Sequence, residues 1–264
     1  MPSEDLGSGL HADWLRPDWA TSMPGVRAFM STRAGGVSVG PFESMNVGAA
    51  VQDEPAAVAE NRLRVDRALG AKAIFLQQVH GSAVVRLNSA HALRGAPAPL
   101  ADASVSTSVG LAVAIQVADC LPVLFAAPGG VAGAHAGWRG LAGGVLENTV
   151  AALCQAAGCR PAEVQAWLGA CIGPAAFEVG PEVLAAFGLE PLALSSEYFR
   201  FRPNAAGAAR WRADLAGLAR QRLLRLGLSH ISGGSWCTVS DASRFFSYRR
   251  LRVSGRMVAA IGLV

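Results

Sequence analysis

The feature that most constrains the fold is a long apolar stretch interrupted by a turn sequence. In CLPVLFAAPGGVAGAHA, residues 120–136, two apolar runs flank Pro-Gly-Gly. Proline and glycine mark turns, and both flanking runs have the length and composition of strands. The segment therefore predicts a β-hairpin that carries a cysteine and a histidine near its open end.

The register of this hairpin decides whether the cysteine and the histidine meet. With proline and the first glycine as the loop, Ala127 pairs with Gly130, and His135 lies opposite Pro122. Cys120 then shares a face with His135, because side chains two residues apart point to the same side of a strand. The diagonal separation, about 7–8 Å between backbones, lets both side chains converge on one metal ion or on each other. A slip of one residue would place them on opposite faces.

Other apolar runs predict further strands, and fewer segments predict helices. The predicted strands are 26–32, 73–79, 83–87, 111–118, 121–127, 131–136, 164–170 and 257–263, and the predicted helices are 54–69, 141–157 and 212–226. Because the helices do not alternate regularly with the strands, the pattern indicates an α+β fold of mixed sheets flanked by helices. Since no repeat or linker interrupts the pattern, we expect one domain over residues 25–264, preceded by an N-terminal segment of residues 1–24.

Composition narrows the functional classes. The apolar fraction of 52% in 264 residues is ample for a large core, and no run of 18 uncharged apolar residues predicts a membrane span. The N-terminus lacks the basic and apolar regions of a signal peptide, so we expect a cytoplasmic protein. The net charge of +4 comes from scattered arginines, with Lys72 the single lysine. This distribution argues against nucleic-acid binding and is compatible with an anionic small substrate.

The Cys120–His135 pair by itself has three interpretations. It is a thiolate–imidazolium nucleophile, two ligands of a zinc site, or a pair buried in the core. A third ligand would favour the metal, and His80, which ends AIFLQQVHG just before a glycine, is the best placed of the other histidines. Two histidines and one cysteine form a catalytic type of zinc set, with the fourth position free for water or substrate.

The sequence GWRG after His135 predicts an anion site. It leads into the predicted helix 141–157, and the unpaired N–H groups at a helix start can bind an anion. Arg139 in this turn can pair with phosphate or carboxylate. The alternative is that the glycines only permit tight packing and that the arginine is solvated.

Six motifs resemble the YfiH-type laccase-domain family. They are STRAGGVSVGPFESMNVG (31–48), QQVHG (77–81), ADCLPVLF (118–125), AHAGWRG (134–140), CIGPAAFEVG (171–180) and RFFSYRR (244–250). Because they occur in the family's order from about residue 25 to the C-terminus, the chain is identified as a member. Members have been described as multicopper polyphenol oxidases, as purine nucleoside phosphorylases with adenosine deaminase activity and, in one branch, as a peptidoglycan editing factor.

The resemblance implies an α+β fold shared with certain bacterial toxin cysteine hydrolases. It also implies that His80, Cys120 and His135 are the zinc ligands and catalytic residues. The implied reactions are phosphorolysis of adenosine, inosine and S-methyl-5′-thioadenosine, with the nucleoside and phosphate as partners, and hydrolytic deamination of adenosine. Polar residues in the motifs are candidate substrate ligands, namely Arg33, Asn46, Gln77, Arg139 and Arg249.

Two alternative functions remain at this stage. The first is a polyphenol oxidase that holds copper in place of zinc, although five histidines are few for a multicopper cluster. The second is a metal-free cysteine hydrolase or amidase, with Cys120 as nucleophile, that edits a peptidoglycan precursor. Asp119 points away from Cys120 if 117–125 is a regular strand, so we expect it to be a supporting carboxylate paired with an arginine.

Overall fold

The computed structural model describes residues 9–19, 22–192 and 194–264. Its strands are β1 (Val26–Met30), β2 (Lys72–Phe75), β3 (Val84–Arg86), β4 (Ala103–Ser106), β5 (Leu111–Val117), β6 (Leu121–Ala127), β7 (Gly130–Ala136), β8 (Gln165–Leu168), β9 (Glu178–Val179), β10 (Phe199–Phe201), β11 (Trp211–Ala213), β12 (His230–Gly233) and β13 (Met257–Leu263). Its α-helices are α1 (Pro55–Leu69), α2 (Trp138–Ala142), α3 (Val145–Ala157), α4 (Pro181–Ala186) and α5 (Leu215–Arg225).

The strands of the described residues form three sheets. A four-stranded sheet has the order β1-β13-β5-β2, a six-stranded sheet the order β12-β8-β6-β7-β4-β3, and a small sheet the order β10-β11-β9. Both large sheets are mixed, since β2 runs parallel to β5 and β3 parallel to β4 among antiparallel neighbours. The predicted α+β fold of mixed sheets with flanking helices is therefore confirmed.

The two large sheets pack against each other and are covered by helices on their outer faces. In β6, Val123 and Phe125 belong to the core beneath α3 and α5, whereas Leu124 packs with Val113 of β5 in the core between the sheets. A strand buried on both faces is apolar at every position, which explains the uninterrupted runs in the sequence. The sheets approach closely at Gly133 of β7, where a Cβ atom would lie 2.7 Å from the side chain of Val113.

The predicted register of the β6–β7 hairpin is confirmed. Ala127 pairs with Gly130, and Pro122 pairs with His135. The apolar residues 111–127 do not form one strand, because β5 ends at residue 117 and β6 begins at residue 121. Cys120 therefore lies in a short connection that passes from the four-stranded sheet to the six-stranded sheet.

Two predicted helices differ from the structure at their beginnings. The predicted helix 141–157 begins earlier, at Trp138, and is interrupted at Gly143 and Gly144, the second of which has a φ of 87°. Its first part, α2, has only five residues. The predicted helix 212–226 begins at Leu215, because the residues before it pair with β10 as strand β11.

The N-terminal residues that the structure describes pack onto the domain. Trp14, Leu15 and Trp19 are buried, and Leu15 forms a bridge with Met30 of β1. Residues 1–8, 20 and 21 of the predicted N-terminal segment lie outside the described residues, and the boundary after residue 24 stays a prediction. None of the helices in the described residues has the length and hydropathy required to span a membrane.

Candidate metal centre

Three separate elements bring His80, Cys120 and His135 together. His80 lies in the loop after β2, Cys120 in the connection from β5 to β6, and His135 near the end of β7. The site therefore lies where the two large sheets meet. His135 is buried, Cys120 is half-buried and His80 is exposed, so the group opens to solvent on one side.

The geometry of the three side chains fits a metal ion. Their ligand atoms all lie within 4.8 Å of one another, and Cys120 Sγ is 3.8 Å from His80 Nε2. The two imidazole rings are 4.8 Å apart and nearly perpendicular, at 76°. Sulfur and nitrogen ligands of a tetrahedral zinc ion lie about 3.5 Å apart. The three side chains thus fit three of four positions around one ion, and the donor set suits zinc or copper.

Asp102, which no sequence motif indicated, contacts the ring of His135 and the backbone of His80. Its carboxylate accepts hydrogen bonds from His135 Nδ1 at 2.8 Å and from the backbone amides of Val79, His80 and Gly81 at 3.1, 2.8 and 2.7 Å. The bond to Nδ1 leaves Nε2 of His135 free to bind a metal. The hydrogen bonds from the three backbone amides stabilise His80 in a left-handed conformation, with a φ of 63°, that a histidine rarely adopts.

The side chains of this group also set one another's charge. Burial disfavours the thiolate of Cys120, but His135 and then His80 outweigh it and lower the pKa of the thiol. Burial likewise disfavours the imidazolium of His135, but Cys120 and Asp102 raise its pKa. Hydrogen bonds from His135 and the loop amides lower the pKa of Asp102 in spite of its burial. A thiolate is the form of cysteine that binds metals and acts as a nucleophile.

The glycines after His135 permit close packing against the metal ligands. A Cβ atom at Gly137 would lie 3.0 Å from Cys120 Sγ and 3.1 Å from the ring of His80. At Gly140 it would lie 2.6 Å from the carbonyl oxygen of Gly81. This supports the packing interpretation of GWRG, since a helix as short as α2 has little dipole to offer an anion.

Asp119 supports the site through the backbone. Its φ is 97°, and its carboxylate accepts hydrogen bonds from Thr238 Oγ1 at 2.6 Å and from the amide of Arg249 at 2.7 Å. The expected regular strand over 117–125 is wrong, because β5 ends at residue 117 and β6 begins at residue 121, and Asp119 lines the same cavity as Cys120. Its carboxylate still supports neighbouring segments, but the arginine contributes its amide and not its guanidinium. Asp119 thereby links the segment 238–250 to the connection between β5 and β6, which also contains Cys120.

The site opens into a cavity of about 1050 Å³. We call His80, Cys120 and His135 the metal wall, and we call Tyr248, Arg249, Arg252 and Arg256 the arginine wall. Both groups line this cavity. Tyr248 lies in the motif RFFSYRR but was not predicted as a substrate ligand, and Arg252 and Arg256 follow that motif with no signal except a high density of arginines.

Three of the five predicted substrate ligands line the cavity, namely Gln77, Arg139 and Arg249. The guanidinium of Arg139 stacks on the ring of Trp138, 4.2 Å from the ring centre. Arg249 donates to the carbonyl oxygen of Glu178 at 3.3 Å.

Arg33 and Asn46 lie outside the cavity lining and hold loops. Arg33 donates to the carbonyl oxygens of Glu43 and Ala242. Asn46 is fully buried, and its side-chain oxygen accepts from the backbone amide of Arg256 at 2.8 Å. Asn46 therefore acts on the cavity indirectly, through the arginine wall.

Comparisons with known proteins cover nearly the whole chain. The family model described as multi-copper polyphenol oxidoreductase laccase matches residues 27–264. A Pseudomonas aeruginosa protein named purine nucleoside phosphorylase is 46% identical over 252 residues, which are 95% of this chain and 98% of that protein. The purine nucleoside phosphorylase YfiH of Escherichia coli is 44% identical over 94% of this chain and 98% of its own length. The crystal structure of a Neisseria meningitidis protein, 44% identical, superposes with a TM-score of 0.83 and covers 95% of this chain and 99% of that one.

Proposed function

Because the chain belongs to the family described as multi-copper polyphenol oxidoreductase laccase, and its near-full-length relatives are named purine nucleoside phosphorylases, we propose that it is a zinc-dependent purine nucleoside phosphorylase. Its substrates are adenosine, inosine and S-methyl-5′-thioadenosine together with phosphate, and it also deaminates adenosine. The observation that carries the proposal is the metal wall, which lines the same cavity as several arginines.

The residues of the metal wall would hold one zinc ion. Two histidines and a thiolate leave a fourth position towards the cavity, and Asp102 orients the ring of His135 and holds the backbone of His80. When bound, zinc supplies the Lewis acidity that activates water for deamination. The cavity of about 1050 Å³ is large enough for a nucleoside and phosphate together.

Arg139 is the residue to which we assign a phosphate contact. It lines the cavity, and no ion pair of the described residues includes it. Its guanidinium can pair with two phosphate oxygens at once. Gln77 and Arg249 line the same cavity and complete the proposed contacts to the substrate.

Copper-dependent oxidation of polyphenols is a second candidate, favoured by the description of the family model. Multicopper electron transfer requires additional metal ligands. Among the described residues, one cluster of three metal-binding side chains is found, His80, Cys120 and His135. A single site with three ligands favours the zinc enzyme over a multicopper oxidase.

A metal-free cysteine hydrolase acting on a peptidoglycan precursor is a third candidate. The lowered pKa of Cys120 beside His135 favours it, since a thiolate–imidazolium pair is an activated nucleophile. The position of His80, 3.8 Å from the sulfur, favours a metal instead. All three candidates are proposed for a cytoplasmic protein.

The test combines metal analysis with product analysis. Protein purified without chelators or added metal is expected to contain about one zinc ion per chain, and with adenosine and phosphate to form adenine, ribose 1-phosphate and inosine. Several copper ions per chain with oxidation of a phenol would favour the second candidate. Hydrolase activity that persists after complete metal removal would favour the third.

A further inference from the structure

The arginine wall has three guanidinium groups, and among the described residues none of them forms an ion pair with a carboxylate of the cavity. Two acidic side chains line the cavity, Asp119 and Glu178. Asp119 accepts from a threonine hydroxyl and a backbone amide, and Glu178 pairs with Arg212 at 2.7 Å. Over the described ranges, no ion pair includes Arg252 or Arg256. The guanidinium of Arg252 and the Nε and Nη2 groups of Arg256 are therefore available to an anion.

The backbone and the side-chain stem of Arg256 are held by contacts with neighbouring segments. Its backbone amide donates to Asn46, and its Nη1 donates to the carbonyl oxygens of Ser254 and Gly255 at 2.8 and 3.1 Å. The side-chain stem lies over Gly48, where a Cβ atom would be 2.7 Å from Cγ of the arginine. Burial lowers the pKa of Arg256, while Asp119 and Cys120 oppose this shift. A half-buried cation with a fixed direction is costly unless a counter-charge offsets its lost hydration.

Tyr248 gathers two arginines at one place. The guanidinium of Arg252 lies 5.0 Å from the centre of its ring, and that of Arg256 lies 5.7 Å from it. Stacking on an aromatic ring orients a guanidinium and leaves its edge N–H groups free to donate. Two like charges on one ring repel each other, so this arrangement favours a ligand of opposite charge.

We propose that Arg252, Arg256 and Tyr248 form a binding site for a phosphate group in the cavity of the metal wall, in addition to the contact assigned to Arg139. The planar N–H pairs of two guanidinium groups match the oxygens of a tetrahedral dianion. The identity of the anion rests on the proposed function, which requires phosphate in this cavity, whereas the site itself rests on the geometry. Its phosphate comes either from inorganic phosphate or from a nucleoside monophosphate.

The test measures phosphate binding by titration calorimetry on the zinc-loaded protein. The variants are Arg252→Gln, Arg256→Gln and Arg256→Lys, and the control is Arg94→Gln, because Arg94 is exposed and lies outside the cavity. We expect each glutamine variant to bind inorganic phosphate about 10- to 100-fold more weakly, since each removes one charge-assisted contact. Arg256→Lys should recover part of the affinity, and the control should match the native protein. Zinc content should be equal in all of them.

Several outcomes separate this inference from the proposed function. Native phosphate affinity in both Arg252→Gln and Arg256→Gln would overturn the site, as would binding of neither inorganic phosphate nor adenosine 5′-monophosphate by the native protein. Since Arg252 is exposed, its variant tests the site even if Arg256→Gln does not fold. Arginine-dependent phosphate binding without phosphorolysis would keep the site and reject the proposed function. Phosphorolysis with an unchanged KM for phosphate in both variants would do the reverse. Arginine-dependent binding of adenosine 5′-monophosphate but not of inorganic phosphate would keep the site and assign it to a nucleotide.

Discussion

The two walls of the cavity are held in different ways. In the metal wall, Cys120 contacts His80, and His135 donates to Asp102. The side chain of His135 is buried, with 3% of the residue exposed. In the arginine wall, Tyr248 is 43% exposed, and Arg252 is held by stacking on that ring. The metal wall is thus organised before any ligand binds, whereas the arginine wall has charges that still lack a partner.

This difference predicts which property a substitution in each wall should change. A metal site needs its ligands fixed within a fraction of an ångström, so its support is built from buried hydrogen bonds. A site for an anion that enters and leaves needs charge and access, which exposed arginines provide. Substitutions at the metal wall should therefore change metal binding and stability together. Substitution of the exposed Arg252 on the arginine wall should change ligand binding alone.

The largest effect is expected from removing a metal ligand. His80→Ala, Cys120→Ala and His135→Ala should each abolish zinc binding or reduce it sharply, because two ligands hold the ion far less well than three. Metal content is measured by plasma mass spectrometry on protein purified without chelators. Cys159→Ala is the control, since this half-buried thiol lies outside the cavity. Full zinc occupancy in the Cys120→Ala protein would contradict the three-ligand assignment.

Asp102→Asn should have the next largest effect. The change leaves the buried His135 without its charged partner and turns an amide group towards backbone donors. Breaking a buried charged pair of this kind costs about 3–5 kcal/mol in the free energy of unfolding, measured by urea denaturation. Loss of the supporting hydrogen bond should also weaken zinc binding about 10- to 100-fold in a competition titration with a chelator. An unchanged zinc affinity would mean that the metal wall does not depend on this carboxylate.

Arg139→Ala should weaken the use of phosphate and leave zinc in place. Losing one charge-assisted contact costs about 1.5–3 kcal/mol, or about 10- to 150-fold in affinity. Deamination uses water and no phosphate, so it should suffer much less, which steady-state kinetics of both reactions would establish. Equal loss of both reactions with zinc retained would mean that Arg139 positions the nucleoside or the loop. Loss of zinc would mean that the turn GWRG is structural and belongs with the metal wall.

The smallest effect is expected where the two walls are joined. Thr238→Val removes one of the two hydrogen bonds to Asp119 and leaves the bond from the amide of Arg249. The free energy of unfolding should fall by about 1 kcal/mol in urea denaturation. Zinc content should not change, and Ser240→Ala, a neighbouring hydroxyl that contacts Cys237 and not Asp119, is the control. Loss of zinc in Thr238→Val would mean that the walls are more tightly coupled than their contacts indicate.

Local patterns predicted the hairpin and the apolar strands well. The β6–β7 register follows from its turn and its alternation, both of which are encoded within residues 120–136. Strands β4 and β9 to β12 were missed, because each has only two to four residues. The helix predicted over 141–157 was placed wrongly at its beginning, since Gly143 and Gly144 interrupt it. Glycine spacing alone does not reveal such an interruption.

The sequence by itself determined the α+β class, the hairpin and the family, because strand alternation, turn residues and motif order are local properties. The motifs also singled out Cys120 and His135 as chemically exceptional residues in an apolar run. Only the tertiary structure decided which groups surround them. Asp102 lies 33 residues from His135, and Arg256 lies 210 residues from the Asn46 that holds it. The first contact arises because β4 pairs with β7 within the six-stranded sheet, and the second because a loop packs beside the beginning of β13. No spacing along the chain encodes these distances.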